Sequence, residues 1–118
     1  MDLRVGIALV LMQERYGQKL TLQKISQEVH LTREYFCRLF KAETGIPPAR
    51  YLKALRLQKG KELLENTLMS VKEITHKVGI NDESHFCRDF QFAYGLTPMQ
   101  HRSRNLPPKK SRGAADAF

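Results

Sequence analysis

The chain contains an internal repeat, and this repeat constrains its fold more than any other feature of the sequence. A shift of 49 residues places Leu22–Val29 on Val71–Val78. Beyond the next turn the shift becomes 50 residues, so one extra residue is expected in the second turn. The residues that match there are Phe36-Cys37-Arg38 with Phe86-Cys87-Arg88, Phe40 with Phe90, Gly45 with Gly95, and Pro48 with Pro98. Self-similarity of this kind predicts two copies of one structural unit.

Capping residues and apolar spacing predict helices along nearly the whole chain. Apolar residues recur three or four positions apart, and no long stretch alternates with a period of two. The first predicted helix runs through Val5 to Tyr16, and the second and third begin after the N-caps Thr21 and Thr32. A long fourth helix is predicted from about Pro48 to Asn66. The fifth begins at the Ser70 capping box, the sixth after Asn81 or Asp82, and a short seventh runs from Pro98 to about Arg104.

Large apolar side chains are spaced so that each helix has one face for burial. The predicted inward residues are Tyr35, Phe36, Leu39 and Phe40 in the third helix, Leu52, Leu55, Leu63 and Leu64 in the long helix, and Phe86, Phe90 and Tyr94 in the sixth. Each copy is then a short helix, a turn and a longer helix with a free outer face. This is the pattern of a helix-turn-helix, whose second helix enters the major groove of DNA.

These elements predict an all-α domain over residues 1–104, with two helix-turn-helix subdomains joined by a long linker helix. The first subdomain covers about 21–43, the linker helix about 48–66 and the second subdomain about 70–93. Residues 105–118 are rich in Pro, Gly and basic residues and lack a core, so we expect a disordered basic tail there.

The charge and the cysteines narrow the class of partner and the compartment. A net charge of +8 on 118 residues favours a polyanionic partner, either nucleic acid or an anionic membrane surface. The longest apolar run, around Ile7–Met12, is too short to span a membrane and has no signal-peptide cleavage pattern. Cys37 and Cys87 form no CxxC pair, which favours a reducing compartment and hence the cytoplasm.

Neither a metal site nor an enzyme is expected. His30, His76, His85 and His101 lack the paired spacing that zinc prefers. The sequence has no nucleophile elbow, no Gly-rich phosphate loop and no clustered carboxylate pair, so no cofactor and no catalysis are predicted. The alternative to DNA binding is a basic helical module for a protein partner or an anionic membrane surface. Such modules expose their large apolar residues, whereas the aromatic residues here recur at core positions.

The second copy resembles the DNA-binding domain of the AraC/XylS family of bacterial transcription regulators. The residues that carry the resemblance are Ser70-Val-Lys-Glu-Ile-Thr-His-Lys-Val-Gly-Ile-Asn-Asp-Glu-Ser-His-Phe-Cys-Arg-Asp-Phe90, Tyr94-Gly-Leu-Thr-Pro98, and Arg56-Leu57-Gln58-Lys59 with Leu63-Leu64. It extends from about Arg4 to Arg104. It implies a bilobed fold of seven helices in which two recognition helices enter successive major grooves on one face of DNA. Ile80, Thr75 and the two cysteines depart from the residues common in the family, and the cysteines leave the base preference open.

The outer faces of the two recognition helices supply the candidate base contacts. Correspondence with the family narrows them in the first unit to Glu34, Cys37 and Arg38. Helical spacing gives Glu83, Ser84, His85, Cys87 and Arg88 in the second. Arginine binds guanine O6 and N7 bidentately, so Arg38 and Arg88 are the leading candidates. Either arginine alternatively contacts phosphate or forms a salt bridge, while Glu34 and Glu83 alternatively complement a helix dipole.

Helix starts and nearby cations supply the candidate phosphate contacts, which are Thr32, Lys41, Asn81 and Arg102. Lys53, Lys59 and Lys61 on the linker helix are interpreted as a solvated face. Cys37 and Cys87 are predicted to lie beyond disulfide reach of ~7 Å between Cα atoms, so they are interpreted as small groove-facing residues. The resemblance further implies RNA polymerase as a protein partner. Most members of the family also carry a sensor or dimerisation domain, so the 118 residues are either a stand-alone regulator or the C-terminal part of a longer one.

Overall fold

A computed structural model describes residues 1–105 of the chain, and these residues form seven helices. The helices are α1 (Leu3–Arg15), α2 (Leu22–Glu28), α3 (Arg33–Thr44), α4 (Pro48–Asn66), α5 (Val71–Lys77), α6 (Glu83–Tyr94) and α7 (Pro98–Asn105). Within residues 1–105 there are no strands, and the predicted all-α fold of seven helices is confirmed. Apart from Asn105, which ends α7, the predicted disordered tail lies outside the described residues.

Side-chain caps start the helices at the predicted residues. The hydroxyl oxygens of Thr21, Thr32 and Ser70 each accept a hydrogen bond from the backbone N–H three residues further on. Asp82, rather than Asn81, caps α6 through its carboxylate. The chain takes one residue more from Ser70 to Asp82 than from Thr21 to Thr32. The extra residue that the sequence predicts therefore lies in the second turn.

The two units repeat in their backbone as well as in their sequence. Helices α3 and α6 have 12 residues each, and both end at a glycine in the left-handed conformation. The φ angles of these residues, Gly45 and Gly95, are +87° and +82°. A proline, Pro48 or Pro98, then starts the following helix. The two recognition helices thus have the same length and the same exit turn, although their N-caps differ: a threonine for α3 and an aspartate for α6.

Two separate hydrophobic cores lie along the linker helix α4. The first contains Val5, Ala8, Met12, Leu20, Ile25, Val29, Phe36, Phe40, Leu52 and Leu55. The second contains Leu57, Leu64, Val71, Ile74, Val78, Phe86 and Phe90. The amino-terminal half of α4 therefore belongs to the first core and the carboxyl-terminal half to the second. One continuous helix of 19 residues joins the two lobes.

The second recognition helix packs directly on the backbone of the linker helix. A Cβ atom at Gly60 of α4 would lie only 2.8 Å from Cε1 of Phe86. The ring of Phe86 thus fills the space that a side chain at position 60 would need. This contact presses α6 against α4 and holds the outer face of α6 towards solvent.

Tyr35 is exposed, so the prediction that it belongs to the core was wrong. Its exposed fraction is 41%, whereas Phe36 and Phe40 are fully buried. Phe36 and Phe40 are four residues apart and already occupy the inner face of α3, so Tyr35 is rotated away from it. Its ring instead receives the guanidinium groups of Arg4 and Arg38, whose Cζ atoms lie 5.8 and 5.9 Å from the ring centroid.

Tyr94 is also less buried than expected, although it keeps contact with the second core. Its exposed fraction is 36%, and its ring centroid lies 4.7 Å from that of Phe90. The ammonium group of Lys61 lies 5.0 Å from the Tyr94 ring centroid. Leu39 and Leu63 are likewise partly buried against their cores. These residues border the cores rather than fill them.

Candidate nucleic-acid interface

The outer faces of α3 and α6 carry the predicted base-contacting residues. Glu34 and Arg38 on α3 are exposed, as are Glu83, Ser84, His85 and Arg88 on α6, while Cys37 and Cys87 are half-buried. Phe36, Phe40, Phe86 and Phe90 occupy the inner faces of the two helices. On α6, the structure brings Glu83, Ser84, Cys87 and Arg88 together at one surface depression. His85 lies apart from them, at a separate hollow that it lines with Asn81, Asp82 and residues of α4.

The outer face of α6 contains one residue that the sequence analysis did not select. Gln91 lines a shallow surface depression together with Glu83, Ser84, Cys87 and Arg88. Gln91 lies one turn beyond Cys87 and Arg88, and its side chain amide both donates and accepts hydrogen bonds. The repeat contained the signal, because a shift of 50 residues places Lys41 on Gln91.

Neither leading arginine is engaged by a carboxylate. Within residues 1–105, Arg38 and Arg88 form no ion pair. The alternative that these two arginines serve as salt-bridge partners is therefore not seen among the described residues. Arg38 lies against the ring of Tyr35, and a cation over an exposed aromatic ring gains about 0.5–1 kcal/mol. Arg88 is exposed and lines the α6 depression. Both guanidinium groups therefore remain available to an acceptor outside the protein.

The start of α6 is organised around Asp82. Its carboxylate accepts a hydrogen bond from the backbone N–H of Ser84 at 2.8 Å. The other carboxylate oxygen lies 3.2 Å from Nδ1 of His85. One ring nitrogen of His85 is thus directed at the cap, and the helix start and the imidazole are held together.

The cysteine of the second unit is less reactive than an exposed thiol. Burial raises the pKa of Cys87, and the negative charge of Glu83 raises it further. A raised pKa keeps the thiol protonated, and the thiolate is the nucleophilic and metal-binding form. Cys37 and Cys87 are both free, and no group of three or more metal-ligating residues occurs within residues 1–105.

The four predicted phosphate contacts differ in how they are placed. Thr32 is the N-cap of α3, Asn81 is exposed beside the N-cap of α6, and Lys41 is exposed in the last turn of α3. Arg102 has partners inside the protein instead. Its Nε and Nη2 atoms donate to the carbonyl oxygens of Leu64 and Thr67 at 3.2 and 3.1 Å. These two hydrogen bonds fix the side chain of Arg102 at the carboxyl-terminal end of α4.

The chain is strongly basic and contains two helix-turn-helix units, each of which exposes the outer face of its second helix. These features are typical of DNA-binding modules. Of the helices described, none is long and apolar enough to cross a membrane. A family model described as a helix-turn-helix domain matches residues 25–104.

Curated relatives and solved structures agree with this class. An uncharacterised HTH-type transcriptional regulator of Bacillus subtilis, YdeC, is 36% identical over 90 residues, which is 76% of this chain and 31% of the relative. The HTH-type transcriptional activator RhaS of Shigella boydii is 28% identical over 115 residues, which is 98% of this chain and 38% of the relative. The chain thus spans about a third of the length of these relatives.

Among solved structures, the C-terminal domain of the two-component response regulator yesN from Fusobacterium nucleatum has a TM-score of 0.81 and 31% identity, covering 86% of this chain and 99% of that one. An AraC-type DNA-binding domain protein from Chromobacterium violaceum has a TM-score of 0.80 and 28% identity, covering 89% and 94%. The DNA-binding domain of AdpA, solved with a target DNA, shares the fold at a TM-score of 0.83 and 20% identity, covering 94% and 96%. The chain belongs to the AraC-type helix-turn-helix family of transcription regulators.

Proposed function

We propose that residues 1–104 form one sequence-specific DNA-binding module of a bacterial transcription regulator, in which α3 and α6 enter successive major grooves on one face of the duplex. The module is proposed to act in the cytoplasm and to have no catalytic activity. The relatives are transcription regulators, which supports a regulatory role for this chain. RNA polymerase and a sensor or dimerisation domain are proposed as protein partners from the family resemblance alone.

The observation that carries the proposal is the repetition of an exposed arginine at equivalent positions of two equivalent helices. Arg38 and Arg88 match across the repeat, both are exposed, and neither is paired with a carboxylate within residues 1–105. A guanidinium group matches the O6 and N7 acceptors of guanine in the major groove. We therefore assign base reading to these two arginines first.

The neighbouring residues on each helix have secondary roles in the proposal. Glu34 and Glu83 accept a hydrogen bond from cytosine N4, while Ser84 and His85 contact bases near the start of α6. Cys37 and Cys87 provide small half-buried surfaces at the groove. Gln91 is added to the residues that contact DNA, because it lines the same depression as Arg88 and matches Lys41 across the repeat. Thr32, Lys41 and Asn81 contact phosphates and hold the register.

The Arg88→Ala substitution is expected to weaken binding to a selected site by about 1–3 kcal/mol and to relax preference at one base pair, a guanine. The reason is the loss of a bidentate contact that only one base pair satisfies. The measurement is a titration against the selected site, each of its single-base variants and random duplex, at two salt concentrations. A uniform loss across all duplexes with unchanged base preferences would show that Arg88 contacts phosphate instead.

Lys41→Ala is the matched comparison, since it also removes one exposed cation from a recognition helix. We expect it to weaken binding to all duplexes about equally. It should also lower the magnitude of the slope of log K against log salt concentration by about one unit, because one phosphate contact is lost. A change in base preference for Lys41→Ala, measured in the same titration, would overturn the assignment of this residue to the backbone.

A further inference from the structure

The two units meet at a second place besides the linker helix. The loop between α1 and α2, residues 16–20, lies against the turn between α5 and α6. A Cβ atom at Gly17 would overlap the carbonyl oxygen of Lys77, and one at Gly79 would lie 2.7 Å from the carbonyl oxygen of Tyr16. Backbone therefore touches backbone across the boundary between the units. Gly79 also has a φ of +83°, so both its conformation and its surroundings exclude a side chain.

Arg56 of the linker helix holds this loop in place. Its Nε donates to the carbonyl oxygen of Tyr16 at 2.9 Å, and its Nη2 lies 3.2 Å from that of Gln18 and 3.4 Å from that of Leu20. One planar guanidinium group thus gathers three carbonyls of one loop. Hydrogen bonds from an ionised donor are about twice as strong as neutral ones. Burial lowers the pKa of Arg56, which is consistent with partial removal of the group from water.

Arg56 also lies where α4 changes from one core to the other. Leu55 belongs to the first core and Leu57 to the second. Tyr16, whose carbonyl Arg56 binds, packs its side chain against both cores. A further link is the ion pair between Lys53 and Asp89 at 3.3 Å, but Lys53 is largely exposed, and such pairs contribute little. The half-buried guanidinium group of Arg56 therefore ties the first unit to the linker helix at the boundary.

We infer that Arg56 is a positioning residue that sets the spacing and the relative rotation of the two recognition helices, and thereby the distance between DNA half-elements that one chain accepts. This inference rests on the proposed function, because spacing has meaning only if both helices bind one duplex. With Arg56 in place, the loop, the α5–α6 turn and α4 form one rigid connection. Without it, the loop loses its donor and the two units move relative to each other about α4.

The test is affinity for a series of duplexes in which base pairs are added or removed between the two half-elements. The unchanged chain is expected to lose at least about tenfold in affinity per base pair, because each base pair rotates the second groove by about 35°. Arg56→Ala is expected to lose about threefold or less per base pair, because the released second unit can follow the groove. Arg56→Lys keeps the charge and one donor, so partial recovery of the spacing preference is expected.

Arg50→Ala is the matched control. Arg50 is an exposed arginine on the same helix, so its substitution by alanine removes the same charge as Arg56→Ala. It is expected to keep the spacing preference of the unchanged chain, whatever it does to overall affinity. Gly17→Ala is a second probe, because its Cβ would push the loop away from the α5–α6 turn without changing charge. It is expected to flatten or shift the spacing preference. Gly6→Ala is the control for Gly17→Ala, because a Cβ atom at Gly6 would have no neighbouring atom within 4 Å.

The outcomes separate the inference from the proposed function. An unchanged chain that shows no spacing preference would contradict two-groove binding itself. A spacing preference that survives in folded Arg56→Ala and in Gly17→Ala would overturn the role of Arg56 and leave two-groove binding intact. Thermal unfolding of each variant shows which ones are folded. If Arg56→Ala does not fold, the test rests on Arg56→Lys and Gly17→Ala. The inference is then overturned if both variants keep the spacing preference of the unchanged chain.

Discussion

Phe86→Ala is expected to lower the free energy of unfolding by about 3–5 kcal/mol, a large part of the stability of a small domain. The ring of Phe86 is fully buried, its centroid lies 5.6 Å from that of Phe90, and it rests on the backbone of α4 at Gly60. Its removal leaves a cavity between α6 and the linker helix. The measurement is equilibrium unfolding in urea, followed by circular dichroism.

Phe92→Ala is the matched control for this prediction, because it makes the same change on the same helix. Phe92 is 93% exposed, so its loss is expected to change stability by no more than about 0.5 kcal/mol. Equal losses for the two variants would contradict the assignment of inner and outer faces on α6. That assignment also decides which residues of α6 reach DNA.

The second large effect is expected from salt. Affinity for a selected duplex should fall by on the order of 10³ or more between 50 and 200 mM salt, because each phosphate contact releases condensed counterions. The net charge is +8, and we expect exposed lysine and arginine residues on and near α3 and α6 to make these contacts. The measurement is a fluorescence anisotropy titration of one labelled duplex across that salt range.

Vesicles that contain anionic phospholipid are the control for the salt prediction. They present negative charge without grooves, and the chain is expected not to saturate on them under conditions where it saturates duplex DNA. A flat salt response on DNA would mean that the positive charge serves something other than the phosphate backbone. Saturable binding to vesicles would favour the membrane-surface alternative.

The helices and the repeat could be predicted from the sequence because they depend on local chemistry. Thr21, Thr32 and Ser70 are caps in the structure as they are in the sequence pattern, since an N-cap needs only its own next three residues. The linker helix was placed at Pro48–Asn66, the bounds that the structure has. Matched aromatic positions then defined the inner face of each recognition helix.

The surroundings of Tyr35 and Arg102 could not be predicted, because they depend on contacts with other elements: α1 for Tyr35 and α4 for Arg102. Tyr35 fits the apolar spacing of α3, but Phe36 and Phe40 take the inner face and Tyr35 is left for Arg4 and Arg38. Arg102 is a basic residue near a helix end, which suggested phosphate binding. In the structure it donates to carbonyl oxygens at the end of α4, more than 30 residues away in sequence.

The contact between the units was also beyond sequence reasoning. The approach of Gly17 to Lys77 and of Gly79 to Tyr16 depends on how two turns that are distant in sequence meet. In the sequence, Arg56 is marked only by its place in a segment that resembles the family's linker helix. Its three carbonyl partners lie 36 to 40 residues earlier in the chain. Helical spacing relates only residues that are a few positions apart in sequence. Arg56 and its carbonyl partners are brought together only when the chain folds.

The most direct test of the central claim is hydroxyl-radical footprinting of the chain on a site selected from random duplexes, with the stoichiometry measured on the same complex. We expect one chain per site and two protected segments about 10 base pairs apart on one face of the duplex, because each recognition helix occupies one of two successive major grooves. One protected segment per chain, or two segments on opposite faces, would contradict the account.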